Sequence, residues 1–122
     1  MTRNEAIKVS IRAWKKLASN GELRKKDLMK LWQYMAKCPL CQYASDEQWK
    51  MKSKLPYVHC KFCPYNEAHP RRRNQEGAYA CEHPASPYSK WDMSNSVKFR
   101  ERCAALFVAE LEALLGSAVE EK

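Results

Sequence analysis

Along the first twenty positions the apolar residues Ile7, Ile11, Trp14 and Leu17/Ala18 recur at steps of three and four, with Lys8, Arg12, Lys15 and Lys16 set between them. That spacing places the apolar set on one stripe of an α-helix, predicted from Asn4 to Ala18 and ended by Asn20-Gly21. Leu28, Leu31, Trp32 and Met35 repeat the period and predict a second helix from Arg24 to Ala36, stopped at Cys38-Pro39. A short turn between them predicts a hairpin that buries Trp14 and Trp32 and leaves Lys15, Lys16, Arg24, Lys25, Lys26 and Lys30 in water.

From Cys38 to about Asn95 the period fades, and all six prolines fall there with most of the aromatic residues. The expectation is a loop-rich stretch holding one short helix, capped by Ser45-Asp46-Glu47 and running through Trp49 and Met51. Periodicity returns at Val97. Val97, Arg100/Glu101, Ala104, Phe107 and Leu111 share a face, with Cys103, Leu106, Leu114 and Leu115 beside it. Ser94 or Ser96 is the expected cap and Gly116 the expected terminating residue.

The loop-rich stretch carries the strongest chemical signal in the chain. Cys38-Pro-Leu-Cys41 and Cys60-Lys-Phe-Cys63 form two C-x2-C pairs separated by 18 residues. Each pair can aim two sulfurs at one point, and two pairs complete the tetrahedral four-thiolate set of a closed, structural Zn²⁺ site. Cys81, His59 and His83 are alternates able to replace one ligand, whereas Cys103, among Ala104, Leu106 and Phe107, reads as a core thiol. An all-thiolate site is saturated and leaves no open position for substrate, so no catalytic residue is assigned; a zinc-dependent nuclease using His59, His69 and His83 is the less favoured alternative. The predicted fold class is mainly α: a helical hairpin (1–37) and a C-terminal helix (94–116) around a loop-rich zinc knuckle (38–93), with a tail (117–122), in one domain spanning 1–122.

Charge adds a partner class. The chain has 22 Lys+Arg against 14 Asp+Glu, a formal +8. Residues 1–73 hold 17 basic and 6 acidic side chains, a net +11, and residues 74–122 hold 5 and 8, a net −3. The N-terminal part is therefore the predicted meeting place for a polyanion, through Lys15, Lys16, Arg24, Lys25 and Lys26 together with Arg71-Arg72-Arg73. Tyr43, Trp49, Tyr57, Phe62, Tyr65 and Tyr79 are interleaved with this charge and are candidates for base stacking. The alternative is recognition of a protein, with Tyr65, Tyr88 and Trp91 joining the arginines in an anchor patch. The opening Met1-Thr2-Arg3-Asn4-Glu5 leads into a charged amphipathic stretch without an apolar signal core, and no run approaches a membrane span. The expectation is a cytoplasmic protein without membrane contact, whose cysteines are metal-bound thiolates rather than disulfides.

The order of these pieces resembles a group of small uncharacterised zinc-ribbon-like proteins of tailed bacteriophages. The residues that carry the resemblance are Trp14-Lys15-Lys16-Leu17-Ala18, Cys38-Pro39-Leu40-Cys41-Gln42-Tyr43-Ala44, Cys60-Lys61-Phe62-Cys63-Pro64, Cys81, Ser86-Pro87-Tyr88-Ser89-Lys90-Trp91 and the helix beginning near Val97. Cys81 falls where that group has a recurrent cysteine, so the resemblance implies Cys38, Cys41, Cys63 and Cys81 as a second possible ligand set. It also implies a phage-encoded accessory protein acting in the cytoplasm of a bacterial host cell, and it implies no settled activity; the partner, nucleic acid or a host protein, is expected from the charge. Arg71-Arg72-Arg73 lies outside the pattern.

Overall fold

The computed structural model describes residues 2–24, 26, 27, 30, 39–50, 63–75 and 77–118, the last three as backbone only. They are mainly helical, and no β-strand occurs among them. The first helix, α1 (Arg3–Ser19), begins in a capping box: Thr2 Oγ1 accepts the Glu5 amide at 3.1 Å, and the Thr2 amide donates to Glu5 Oε1 at 3.0 Å. The amide and hydroxyl of Thr2 hold the Glu5 carboxyl below its ordinary range. The stripe read from the sequence is the buried one, with Ile7, Ile11, Trp14 and Leu17 inside, and Asn20 caps the C-terminus as expected.

Of the predicted second helix only Arg24, Lys26, Asp27 and Lys30 are described, the last three of them helical, while Trp32 and Met35 lie outside the described residues. The next described helix, α2 (Pro39–Lys50), starts six residues before the cap expected at Ser45 and contains Cys41 in its first turn. Further on, α3 (Pro64–Ala68) and α4 (Pro87–Met93) are joined by two single 3₁₀ turns, Pro70–Arg72 and Ala80–Glu82. Among the described residues the middle of the chain is thus largely a series of short helices and turns, where loops are expected from the sequence. The physical reason is the position of its prolines. Three of the six, Pro64, Pro70 and Pro87, stand at the first position of a helical turn, where the missing amide has no intrahelical partner to lose and the fixed φ suits the helix.

The last helix, α5 (Val97–Ala118), is entered through Ser96, whose Oγ accepts the Phe99 amide at 3.3 Å. It continues through Gly116, which does not terminate it. The glycine with the left-handed backbone that a terminating residue needs is instead Gly77, at φ +77. The buried face of α5 carries Arg100, Cys103, Ala104, Phe107, Val108, Leu111 and Leu114, whereas Val97 and Leu106, expected on or beside it, are exposed.

α1 and α5 form the most extensive helix pair in the fold. They run antiparallel: Arg3 Nη1 donates to the Leu114 carbonyl at 3.4 Å, and at the other end the Gly21 amide donates to Glu101 Oε2 at 2.9 Å. A Cβ on Gly21 would stand 2.1 Å from the Val97 carbonyl oxygen, so glycine is required for this close approach. Trp14 occupies the centre of the core, edge-on to Phe107 (4.7 Å), Trp91 (5.0 Å) and Tyr88 (5.6 Å) between ring centroids. α4 packs on α5, and α2 packs on α1, enclosing Leu40 and Ala44.

Candidate functional site

Three of the cysteine-bearing segments meet at one corner of the fold. Cys41 is carried by α2, Cys63 precedes Pro64 as the N-cap of α3, and Cys81 sits in the Ala80–Glu82 turn. α3 packs against both of the other segments. The third segment is delivered by Asn66, a buried side chain on α3. Its Nδ2 donates to the Gly77 carbonyl at 3.1 Å, and its Oδ1 accepts the Ala80 amide at 3.1 Å. The loop so held closes on itself, with the Asn74 amide donating to the Ala78 carbonyl at 2.9 Å and Asn74 Oδ1 accepting the Ala78 amide at 3.0 Å. Tyr79, at φ 57, takes the left-handed conformation immediately before the turn that presents Cys81.

Cys63 is buried, and Cys41 and Cys81 are half-buried. Cys38, Cys60 and His59 lie outside the described residues, so half of the predicted four-thiolate set does too. Among the described residues no three Cys, His, Asp or Glu side chains are grouped to hold a metal ion. His83 Nδ1 accepts the Ala85 amide at 3.0 Å. Cys103 is a core residue, and burial pushes its thiol up despite Lys90 and Arg102 nearby.

Beside this corner lies a polar cluster that the sequence reading did not find. Tyr65 Oη donates to Glu110 Oε1 at 2.7 Å and accepts from Arg72 Nη1 at 2.9 Å, with Ser86 Oγ at 3.1 Å. The same Arg72 nitrogen reaches Glu110 Oε2 at 2.9 Å. His69 lies over the Tyr65 ring, 4.1 Å between centroids, and its Nδ1 bonds the Tyr65 carbonyl at 2.8 Å. Burial, helped by the Glu110 carboxylate, raises the Tyr65 phenol well above its ordinary value. Burial alone would lower the Arg72 guanidinium, but Glu110 and Tyr65 outweigh it and raise it instead. Each polar group has a partner within the cluster, so its chemistry is that of a clamp holding α3 and the Pro70–Arg72 turn to α5.

The basic residues divide accordingly. Arg72 is held in that clamp, and Arg73 donates through Nε to the Asn66 carbonyl at 2.9 Å and through Nη2 to the Glu67 carbonyl at 3.2 Å. Arg71 alone of the three is exposed. On α1, Lys8, Arg12, Lys15 and Lys16 all face solvent, as do Arg24, Lys26 and Lys30, while Lys25 lies outside the described residues. The expected anchor pair separates as well. Trp91 has no accessible surface and Tyr88 is half-buried against Trp14, so Trp91 is a core residue and cannot present a surface anchor.

The residue of greatest consequence that went unassigned is Arg100. It is 1% exposed, yet its guanidinium donates to the carbonyls of Gly21 (2.9 Å), Trp91 (3.0 Å), Ser94 (3.3 Å) and Leu23, and lies 4.5 Å from the Trp91 ring centre. A signal was available: Arg100 shares the register of Ala104, Phe107 and Leu111, so an arginine falls on the apolar face. No protein family, curated protein or solved structure matches the chain. No helix among the described residues is long and apolar enough to cross a membrane.

Proposed function

We propose that this chain is a small zinc-stiffened binding module of phage-accessory type that engages nucleic acid through the solvent face of α1, and that it is not an enzyme. The observation that carries the reading is the exposed stripe of Lys8, Arg12, Lys15 and Lys16, continued by Arg24, Lys26 and Lys30. The acidic residue of α1, Glu5, is engaged in its capping box. From Lys8 to Lys16 the helix rises about 12 Å, enough to neutralise roughly two to four backbone phosphates. Arg71 adds a contact from the opposite end of the chain's middle region, while Arg72 and Arg73 act as fasteners.

Zinc enters this reading as the element that fixes the corner of α2, α3 and the Ala80–Glu82 turn. Cys41 and Cys63 would bind it together with Cys38 and Cys60, with Cys81 as the substitute ligand. The donor chemistry fits, since all are thiols and soft thiolate sets select zinc or iron–sulfur centres. The ion would contribute folding energy there and no reactive water.

Fluorescence anisotropy with labelled single- and double-stranded DNA and RNA, across a salt series, tests the nucleic-acid reading. The parent should bind with a steep negative salt slope. Lys15→Glu/Lys16→Glu with Lys26→Glu should flatten that slope by about 0.7–0.9 for each phosphate that is no longer neutralised. Equal binding and equal slope in parent and variant would remove α1 from the interface and transfer the case to protein recognition.

A further inference from the structure

α5 is apolar on two faces, and its own core uses one of them. Phe107 and Leu111 point inward, but on the opposite side Phe99 (41% exposed) and Leu106 (53%) stand in solvent, followed by exposed Ala109 and Ala113. With Arg102 between them, Phe99, Arg102, Leu106, Ala109 and Ala113 are spaced 3, 4, 3 and 4 residues apart, the a/d seam of a two-stranded coiled coil. All five of these residues are exposed. A solvated helix face needs no such register.

The geometry points to a second copy of this chain as the occupant, with two α5 helices packed antiparallel about a two-fold axis that passes between Ala105 and Leu106. To within one residue, antiparallel pairing then sets Leu106 beside its own counterpart, Phe99 beside Ala113, and the Arg102 stem beside Ala109. Each large side chain thus meets a small one, the arrangement that lets two helices interdigitate. The same register brings Lys98, flanking the seam at one end, beside Glu112 of the second copy at the other, and two-fold symmetry makes this ion pair twice. Glu112 is free enough to turn, since its contact with Lys15 is 3.9 Å long and both side chains are more than half exposed. A parallel pair would instead stack Phe99 on Phe99 and Arg102 on Arg102, placing like charges together. Charge complementarity therefore selects both the partner and its direction.

From Lys98 to Ala113 the seam is about 23 Å long, and one helix face of that length covers less than the roughly 800 Å² per partner of a standard interface. The dimer is accordingly weak and concentration-dependent. This inference is independent of nucleic-acid binding by α1.

Sedimentation equilibrium of the full chain, across about 1 to 300 µM and without nucleic acid, tests it. The range spans the affinities expected of so small an interface. The parent should move from one-chain towards two-chain mass. Leu106→Glu should weaken association at least tenfold while leaving the circular dichroism melt unchanged, because the position is exposed. Lys98→Glu and Glu112→Lys should each weaken it severalfold, and the doubly swapped chain should recover the parent's association. A parent that stays at one-chain mass throughout overturns the inference, as does association indifferent to Leu106→Glu. Failure of the double swap to restore association overturns the antiparallel register. If Leu106→Glu lowers the melt, Ala109→Glu on the same seam is read in its place, with the same two outcomes.

Discussion

Replacing Arg100 by methionine keeps most of the apolar stem and removes the guanidinium, which makes it the cleanest probe of what holds the two ends of the fold together. Of the four carbonyls it serves, those of Gly21 and Trp91 are bonded in buried surroundings, and those of Leu23 and Ser94 are partly open to water. A hydrogen bond to a charged group contributes about 1.5–3 kcal/mol, and a buried acceptor left alone forfeits its hydration. Counting only the two buried acceptors gives about 3–6 kcal/mol. Burying the cation itself opposes this: desolvation, with Arg24 adding and Asp92 resisting, already holds the guanidinium below its ordinary pKa. A net loss of about 3–4 kcal/mol follows, a large fraction of the ~5–15 kcal/mol that a domain of this size commonly has. Arg100→Lys keeps a charge but lacks the fork that spans both loops, and should lose about half as much. Urea unfolding at constant slope measures both, and the melting temperature should fall by roughly 4 °C per kcal/mol. A loss below about 1 kcal/mol for Arg100→Met, with the slope unchanged, would mean that water serves these carbonyls equally well and that the clamp is not structural.

Three further predictions concern titration and thiols. Because burial raises the Tyr65 phenol in the folded chain, an unfolded chain releases this proton first as pH rises above about 10, so it binds fewer protons and gains relative to the fold. Stability contributed by Tyr65 is therefore fully present below that pH and declines above it; unfolding midpoints from pH 9 to 11 should fall less steeply in Tyr65→Phe than in the parent, and identical pH profiles would refute the assignment. Zinc content should be one per chain and lost with Cys38→Ser, whereas Cys103→Ala should retain the metal and lose only about 1–2 kcal/mol of core packing. Cys103 should also resist alkylation until the chain unfolds, and rapid modification of the native protein at that position would contradict its burial.

The two long helices were legible because one period governs them: Ile7, Ile11, Trp14 and Leu17 on α1, and Ala104, Phe107 and Leu111 on α5, are all inside. Where the period is shorter than a few turns, the sequence pattern is ambiguous. Pro64 and Pro87 read equally as loop breakers and as first helical residues, and tertiary packing against α5 decides for the helix. Gly116 read as a stop, but glycine terminates a helix only if the chain turns left-handed there. Leu106 was grouped with the core because a leucine beside an apolar face carries no label for the side it serves. The cysteine pairs were evident from spacing alone. The Tyr65–Arg72–Glu110 clamp was not, since it joins residues 38 and 45 positions apart, for which no local pattern exists. Of the predicted binding residues, Lys15 and Lys16 are where charge alone placed them, in water, whereas Arg72, Arg73 and Trp91 were drawn inward by partners invisible in a linear reading.

The pairing of α1 with α5 also sets a timetable for the chain as it is made. Gly21 and Arg100 are 79 residues apart, so α1 leaves the ribosome with the Trp14 face bare and must wait roughly 4–16 s, at ordinary translation speeds, for its main partner to be synthesised. In that interval the interactions open to the middle segment are short-range: Asn66 can gather the loop from Asn74 to Ala80 before any of α5 exists. Once made, Arg100 grips backbone from both sides of the gap, and the rest of α5 then covers Trp14 through Phe107. A nascent chain halted before Phe107 lacks the α5 ring that covers Trp14 and presents that face as a ready target for chaperones and proteases.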